Sequence, residues 1–432
     1  MKQLIALTVL LTLVLLPIQA QAQKDLDDLP LGSRGMGVLI HDGHDTVFRE
    51  WEKRKRIKEK EAAAKAASGA TAKSLPAGVP ATPANYPPYP MDQTFLLHSN
   101  PSATDKLYID FTGYRKYKAF DMDGSPSTFN DEERLRIQQA WYCAAEDFMP
   151  FTIDVTTEEP PTGWPGARAV MDNSNGAGNW AYLHRWPDSS GVHIVCGVGD
   201  QSWIWMGTVV SHEVGHLLGS LDHGDDTTNY HTGNGSGATA WGPIMGWDSW
   251  SLGQWDNGEY LNAQYPNDHC IENIVGPGNP DVTFRVDDHG GNIGSATPIS
   301  FGNVTMTLVA EGIIEQRTDV DYFAFTTVAS GNVKFSINEN RVLCATNLDV
   351  LAEIRDSNGA LLYTSNPLWE IGAGFDVTLP AGDYYLTVDG TGLDHPNGTH
   401  SEGFGYTDYG TLGYYAVYAQ GAASSDPDST PP

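Results

Sequence analysis

Two histidines four residues apart bracket a glutamate in the stretch H-E-V-G-H-L-L-G-S-L-D-H, His212 to His223. Residues i and i+4 share one face of an α-helix, so His212 and His216 can reach one metal ion together. Glu213 then stands beside the water that completes the ion's shell. A helix with two stray histidines is the plain alternative. Gly219 lies three residues past His216, where a helix must end and turn sharply, and glycine tolerates the left-handed angles this needs. Asp222 and His223 follow as further potential ligands. Met245, in Pro243-Ile244-Met245, can sit beneath the site on a tight turn. The chemistry open to such a set is metal-assisted hydrolysis.

These residues need a helix behind them. Val209, Val210, Val214, Leu217 and Leu218 supply its core face, and the spacing predicts a start near Met206. Upstream, Leu107 to Phe111 alternates as a half-buried strand. Asn130 with Glu133 forms a capping box for a helix whose face carries Ile137, Trp141, Ala144 and Phe148. Strands are expected at Phe151 to Val155, Arg168 to Met171, Trp180 to Leu183 and Val192 to Val198. This order predicts an α+β domain with a mixed sheet over residues 105–285. From 286 to 421, about seven short strands with almost no helix signal predict an all-β sandwich. A tail at 422–432 is expected to be disordered.

The front of the chain reads differently. Residues 1–22 have the make-up of a secretory signal: Lys2, an apolar run from Leu4 to Ile18, and Ala20-Gln21-Ala22. Residues 23–104 combine a charged helix, Phe48 to Ala67, with a Gly/Ala/Thr/Pro linker. That layout suits a removable pro-segment, and an ordinary N-terminal arm is the alternative. His41, Asp42, His44 and Asp45 are candidates to plug a metal site in a latent form. Export places Cys143, Cys196, Cys270 and Cys344 in an oxidising setting, with the pairing left open.

The formal net charge is −29, which disfavours nucleic acid and anionic membrane surfaces as partners. Residues 106–432 carry 13 basic and 43 acidic side chains. Solubility outside the cell explains such an excess, and so does Ca2+ on acidic loops. Asp287, Asp288 and Asp349 are the candidates there, with the turn Asp121-Met122-Asp123-Gly124 as a further one. No membrane span is expected, and a monomer is.

The pattern H-E-x-x-H-x-x-G-x-x-(H/D) with a methionine turn resembles the metzincin zinc peptidases. H-E-V-G-H-L-L-G, W-G-P-I-M-G and W-Y-C-A-A-E-D-F-M-P-F-T-I-D-V-T-T (Trp141 to Thr157) are similar to bacterial, reprolysin-like members. D-V-D-Y-F-A-F, N-L-D-V, P-A-G-D-Y-Y-L-T-V and Y-G-T-L-G-Y-Y, between Asp319 and Tyr415, resemble the bacterial pre-peptidase C-terminal (PPC) domain.

The resemblance implies Zn2+ held by His212, His216 and a third ligand ten residues after the first. That position is Asp222. Many metzincins have His there and Asp next, the reverse of the order here, so His223 stands as the alternative third ligand. The implied activity is that of a secreted endopeptidase acting on protein or peptide substrate, with a zinc-bound water activated by Glu213. Met245 would pack under the zinc, and Trp247 stands where some members carry a tyrosine. Trp180, Ala181, Tyr182 and Leu183 resemble the edge strand along which an extended peptide lies; for Trp180 and Tyr182, ordinary packing is the other reading. A catalytically idle metzincin-like domain used for adhesion or matrix binding is the competing function.

Overall fold

The sheet that carries the site is mixed. Its strand order is β1-β5-β6-β4-β2-β3, with β1 at Leu39–His41, β2 at Asp105–Asp110, β3 at Ile153–Thr156, β4 at Gly166–Asp172, β5 at Trp180–Tyr182 and β6 at Ile194–Gly197. β3, β2, β4 and β6 run parallel, and β5 reverses against β6. The central strands are buried on both faces, and along Gly166–Asp172 every residue but Arg168 is buried, without alternation. This computed structural model describes residues 39–41 and 87–421, apart from short stretches at 175–177, 190–192, 198–201, 236, 248–251, 340–345, 369 and 394–405. The signal, the charged helix, the linker up to residue 86, the residues Asp42, His44 and Asp45, Cys344 and the tail lie outside the described residues. Residues 87–104, expected to belong to the pro-segment and linker, instead pack on the domain, with Thr94 and Leu97 buried and bonded to Thr157.

Two helices pack on this sheet. α1 spans Asp131–Asp147, and the Asn130/Glu133 capping box closes its N-terminus in both directions. α2 spans Trp203–Leu218 and so begins three residues before Met206. The extra residues are ordered because the Arg136 guanidinium from α1 sits 4.6 Å over the Trp203 ring. The helices meet at Gly207, where an added Cβ would lie 2.5 Å from Cys143 Cβ and 3.0 Å from Ala140 O. A short parallel pair, β7 (Trp241–Pro243) with β8 (Leu252–Gln254), follows, and then a one-turn helix, α3, at Cys270–Ile274.

The C-terminal half is two packed sheets. β10 (Thr307–Ile314), β17 (Gly413–Gly421), β12 (Gly331–Glu339) and β15 (Ala373–Leu379) form one. β14 (Leu361–Ser365), β13 (Val350–Asp356), β16 (Gly382–Gly390), β11 (Val320–Thr327) and β9 (Thr297–Pro298) form the other. Along β11 burial alternates strictly, with Phe323 and Phe325 inward, as a sheet with one covered face requires. Tyr384 and Tyr415 join that core. β14 was not legible in sequence, because L-L-Y-T-S lies exposed at a sheet edge and shows no alternation. The described residues from Leu39 on belong to one compact unit, and one apolar core cluster runs through both halves. Among the described residues no helix is long and apolar enough to cross a membrane.

The α1–α2 contact sets a test of the packing. Gly207→Ala should lower stability by about 1–3 kcal/mol through overpacking, in spite of alanine's better helix propensity. Urea unfolding of the two proteins measures it; equal midpoints would mean the helices are not in contact there.

Candidate metal centre

α2 carries His212, Glu213 and His216 on its buried face. It stops at Gly219, whose φ of +121° suits only glycine and whose N–H donates to the Gly215 and His216 carbonyls. The turn returns the chain so that Asp222 Oδ1 lies 3.1 Å from His212 Nε2 and 3.2 Å from His216 Nε2. The three side chains thus converge on one point, with Asp222 partly open to solvent and both imidazoles buried.

The far nitrogens fix the rings. His212 Nδ1 donates to Ile244 O at 2.9 Å, and His216 Nδ1 donates to Ser220 O at 2.8 Å. A backbone carbonyl can only accept, so each Nδ1 carries a proton and each Nε2 is the atom turned to Asp222 and the shared point, where a bound cation would take its lone pair. One nitrogen on each of two imidazoles and one carboxylate oxygen form a donor set that suits zinc. Glu213 is fully buried beside them.

Met245 is buried against the helix that bears the ligands. A Cβ on Gly215 would fall 2.2 Å from Met245 Sδ and 3.1 Å from the Trp255 ring. Glycine at 215 therefore admits the methionine directly under the ligand helix. His223 N–H donates to Met245 O at 2.6 Å, which ties the ligand loop to the same turn. Trp247 packs near Trp205, with ring centroids 6.1 Å apart.

His223 is not part of the convergence. Its Nδ1 meets the Asp256 carboxylate, and its Nε2 lies 3.1 Å from Asp268 Oδ2 and 3.8 Å from the free Cys270 thiol. Burial opposes charge on this ring, but Asp256 first, then the other neighbours, hold its pKa well above the ordinary histidine value. A carboxylate at each nitrogen engages this ring away from the point that His212, His216 and Asp222 share.

β5 sits as expected beside α2, with two differences. The strand ends at Tyr182, and Leu183 already belongs to the following turn. It is also not the outermost strand: Leu39–His41 pairs antiparallel with it, Leu39 opposite Tyr182, Ile40 opposite Ala181 and His41 opposite Trp180. Trp180 and Tyr182 pack edge to face with each other, 5.9 Å apart, and Ala181 is buried. The residues after β5 cap the ligand helix, since His184 N–H donates to His216 O and Arg185 N–H to Leu217 O. Sequence reasoning missed His184, whose ring covers Gly219, and Tyr230, whose ring centroid is 6.0 Å from that of His212. Both lie in irregular segments without periodicity, so nothing local marked them.

A second acidic cluster lies at the foot of the sandwich. Carboxylate oxygens of Asp287, Asp288 and Asp321 lie within 4.8 Å of one another, as do those of Asp287, Glu315 and Asp319. Glu315 is buried beside Asp319, with which its protonated carboxyl shares a hydrogen bond, and Asp321 Oδ1 is buried with no hydrogen-bond partner. Burial pushes Glu315 up to about 10, Asp321 up to about 8 and Asp288 up to about 6, and the neighbouring carboxylates add to each shift. Asp349 stands elsewhere, accepting from the Tyr406 hydroxyl. In the turn at Asp121 and Asp123, backbone N–H groups already occupy Asp121 Oδ1.

No family model matches this chain, and no curated protein matches it. Among solved structures 18 chains match. One is the pre-peptidase C-terminal domain of collagenase from Bacillus anthracis, 12% identical, covering 29% of this chain and 95% of that one, with a TM-score of 0.21. A likeness at that score carries no argument for this chain.

The acidic cluster dictates a pH dependence. Glu315 and Asp321 stay protonated in the fold above the range where an unfolded carboxylate ionises. Their contribution is complete below about pH 4 and is lost as pH rises toward 8 and beyond. Without divalent cations, the unfolding midpoint should fall between pH 5 and pH 8.5, and Glu315→Gln should flatten that slope. A midpoint that rises over this interval in the wild type contradicts the assignment.

Proposed function

We propose that this protein is a secreted zinc endopeptidase of the metzincin type. The observation that carries the reading is the convergence of His212 Nε2, His216 Nε2 and Asp222 Oδ1, with both Nδ1 protons committed to backbone carbonyls. The buried methionine beneath the helix of His212 and His216 supports it; both His223 nitrogens are engaged by Asp256 and Asp268, which favours Asp222 as third ligand.

Bound zinc supplies Lewis acidity, polarising a peptide carbonyl and making the attacking water more acidic. Glu213, next to His212, takes a proton from that water and returns it to the leaving amine. Asp222 brings a negative charge where a histidine would be neutral, so the cation it helps hold is a weaker acid. β5 offers the substrate an extended edge for antiparallel pairing. Leu39–His41 takes that edge in the chain before processing, so the pro-segment competes with substrate for the same backbone groups.

The acidic cluster at Asp287, Asp288, Glu315, Asp319 and Asp321 supports a calcium site as well. An all-oxygen set suits a hard cation, and ionising the buried Glu315 and Asp321 side by side is costly unless a cation compensates.

Casein hydrolysis by zinc-loaded protein lacking residues 1–86, which keeps the packed Thr94 and Leu97, tests the enzyme reading. Glu213→Ala should cut kcat by at least about a hundredfold, and chelation should abolish turnover. Activity that survives both changes sinks the mechanism, and a zinc-loaded, processed protein with no activity favours the adhesion reading. For calcium, millimolar CaCl2 should raise the melting temperature of wild-type protein by about 3 °C or more. Glu315→Gln should lose that gain; an equal gain in the variant refutes this site.

A further inference from the structure

The order of the chain suggests a separate sandwich after the first domain, but the contacts between the halves lead directly to the metal ligands. β8 is the element between them. Its Gly253 N–H donates to Thr346 O at 3.0 Å, and Leu252 forms a parallel bridge with Thr346. The Gln254 side chain enters the sandwich, where Nε2 donates to Asn347 O at 2.6 Å and to Thr411 Oγ1 at 3.0 Å. Its Oε1 accepts from Trp241 Nε1 on β7 at 3.0 Å. Gln254 is buried, so all these bonds form away from water, where an unmade bond is expensive.

From β8 the path continues inward. Ile244 N–H donates to Gln254 O at 2.9 Å, and Ile244 O accepts from His212 Nδ1 at 2.9 Å. Consecutive bonds therefore join a sandwich carbonyl, at Asn347, to the imidazole of a metal ligand. The same segment carries Met245. The approach is close as well as bonded: a Cβ on Gly410 would fall 2.2 Å from Trp255 O and 2.9 Å from Gln254 Cβ. Beside it, the Tyr409 hydroxyl donates to Glu272 and accepts from Ile271 N–H on α3. Trp241 and Leu252 share an apolar cluster with Ile371, Leu393 and Tyr406 of the sandwich.

We infer that the sandwich is a positioning part of the metal centre: its loops at Thr346–Asn347 and Gly410–Thr411 hold β8, and β8 sets the Met245 turn and the ring of His212. Asn347, Gly410 and Thr411 are positioning residues, since none touches the metal point or a substrate. The inference deepens the zinc reading and rests on it for its functional meaning. The sandwich then cannot be shed after export without loosening the site.

The test uses the full chain. Gly410→Ala wedges the loop away from β8. Thr411→Val removes the hydroxyl that Gln254 bonds, and Thr411→Ser keeps it. The first readout is Co2+ binding, by visible absorption and by competition with a chelator. Gly410→Ala and Thr411→Val should weaken Co2+ by about threefold to thirtyfold and alter the d–d bands, with Thr411→Ser restoring both. The second readout is amide hydrogen exchange in metal-free protein, where Ile244 should exchange faster in Gly410→Ala and Thr411→Val than in wild type.

Variants that melt earlier but keep wild-type Co2+ affinity, spectrum and Ile244 protection would reduce the interface to general stability and overturn the proposal. Wild-type protein that binds no Co2+ would instead remove the zinc reading, and the exchange of Ile244 would still decide the coupling. Should Gly410→Ala fail to fold, the Thr411 pair carries the comparison.

Discussion

The structure around the site depends on one constraint: two imidazoles must present bare Nε2 atoms to the same point. A free imidazole has two tautomers and a rotating ring, and a ligand pair built on such rings would be ordered only by the ion. Here Ile244 O and Ser220 O each accept one Nδ1 proton, which selects tautomer and orientation together. Both acceptors are backbone groups in tight turns, so their positions are as firm as the turns that make them. Gly219 makes the first, by accepting a backbone angle that other residues avoid. The second is the Met245 turn, packed into the notch that Gly215 leaves in the ligand helix. Remove either turn and the histidines remain on the helix with nothing to aim them.

That requirement explains why so much of the chain lies around a small site. The Ser220 turn is local, six residues from start to end. The Ile244 turn is not local at all: it needs β7, β7 needs β8, and β8 bonds to loops more than ninety residues downstream. His223 does comparable work from the other side. Its two nitrogens, on Asp256 and Asp268, tie the loop after Asp222 to the segment leading into α3. Truncating either carboxylate would leave a buried ring nitrogen without its partner, which costs more than the bond itself contributes.

How much of this was legible in sequence follows from the range of the interactions. His212, Glu213, His216 and Asp222 are ordered by helix periodicity and one glycine turn, all within eleven residues, so spacing alone brought them together on paper. The capping box at Asn130 was legible for the same reason. Spacing could not separate Asp222 from His223, because adjacent residues in a turn differ only in where they point. Their partners, Asp256 and Asp268, lie over thirty residues away and carry no local mark. Nor could it show that β5 has a neighbour at its outer edge, since strand pairing across 140 residues leaves no periodic trace. β14, exposed and unalternating, was illegible because alternation records burial, and this strand has none to record.

The surplus of acid in the back of the chain also acquires a location. An excess of carboxylates spread over a surface is a matter of solubility, and each group stays solvated. Five of these are not spread: they gather where the sandwich begins, and two, Glu315 and Asp321, are buried. Desolvation penalises ionised carboxylates severely, and like charges within a few ångströms add to that penalty. A fold that only needed solubility would place all five outward. Asp287 and Asp288 are exposed, but the burial of Glu315 and Asp321 at the point where the chain enters the sandwich makes the ionic state of those two a condition on how that first segment is held.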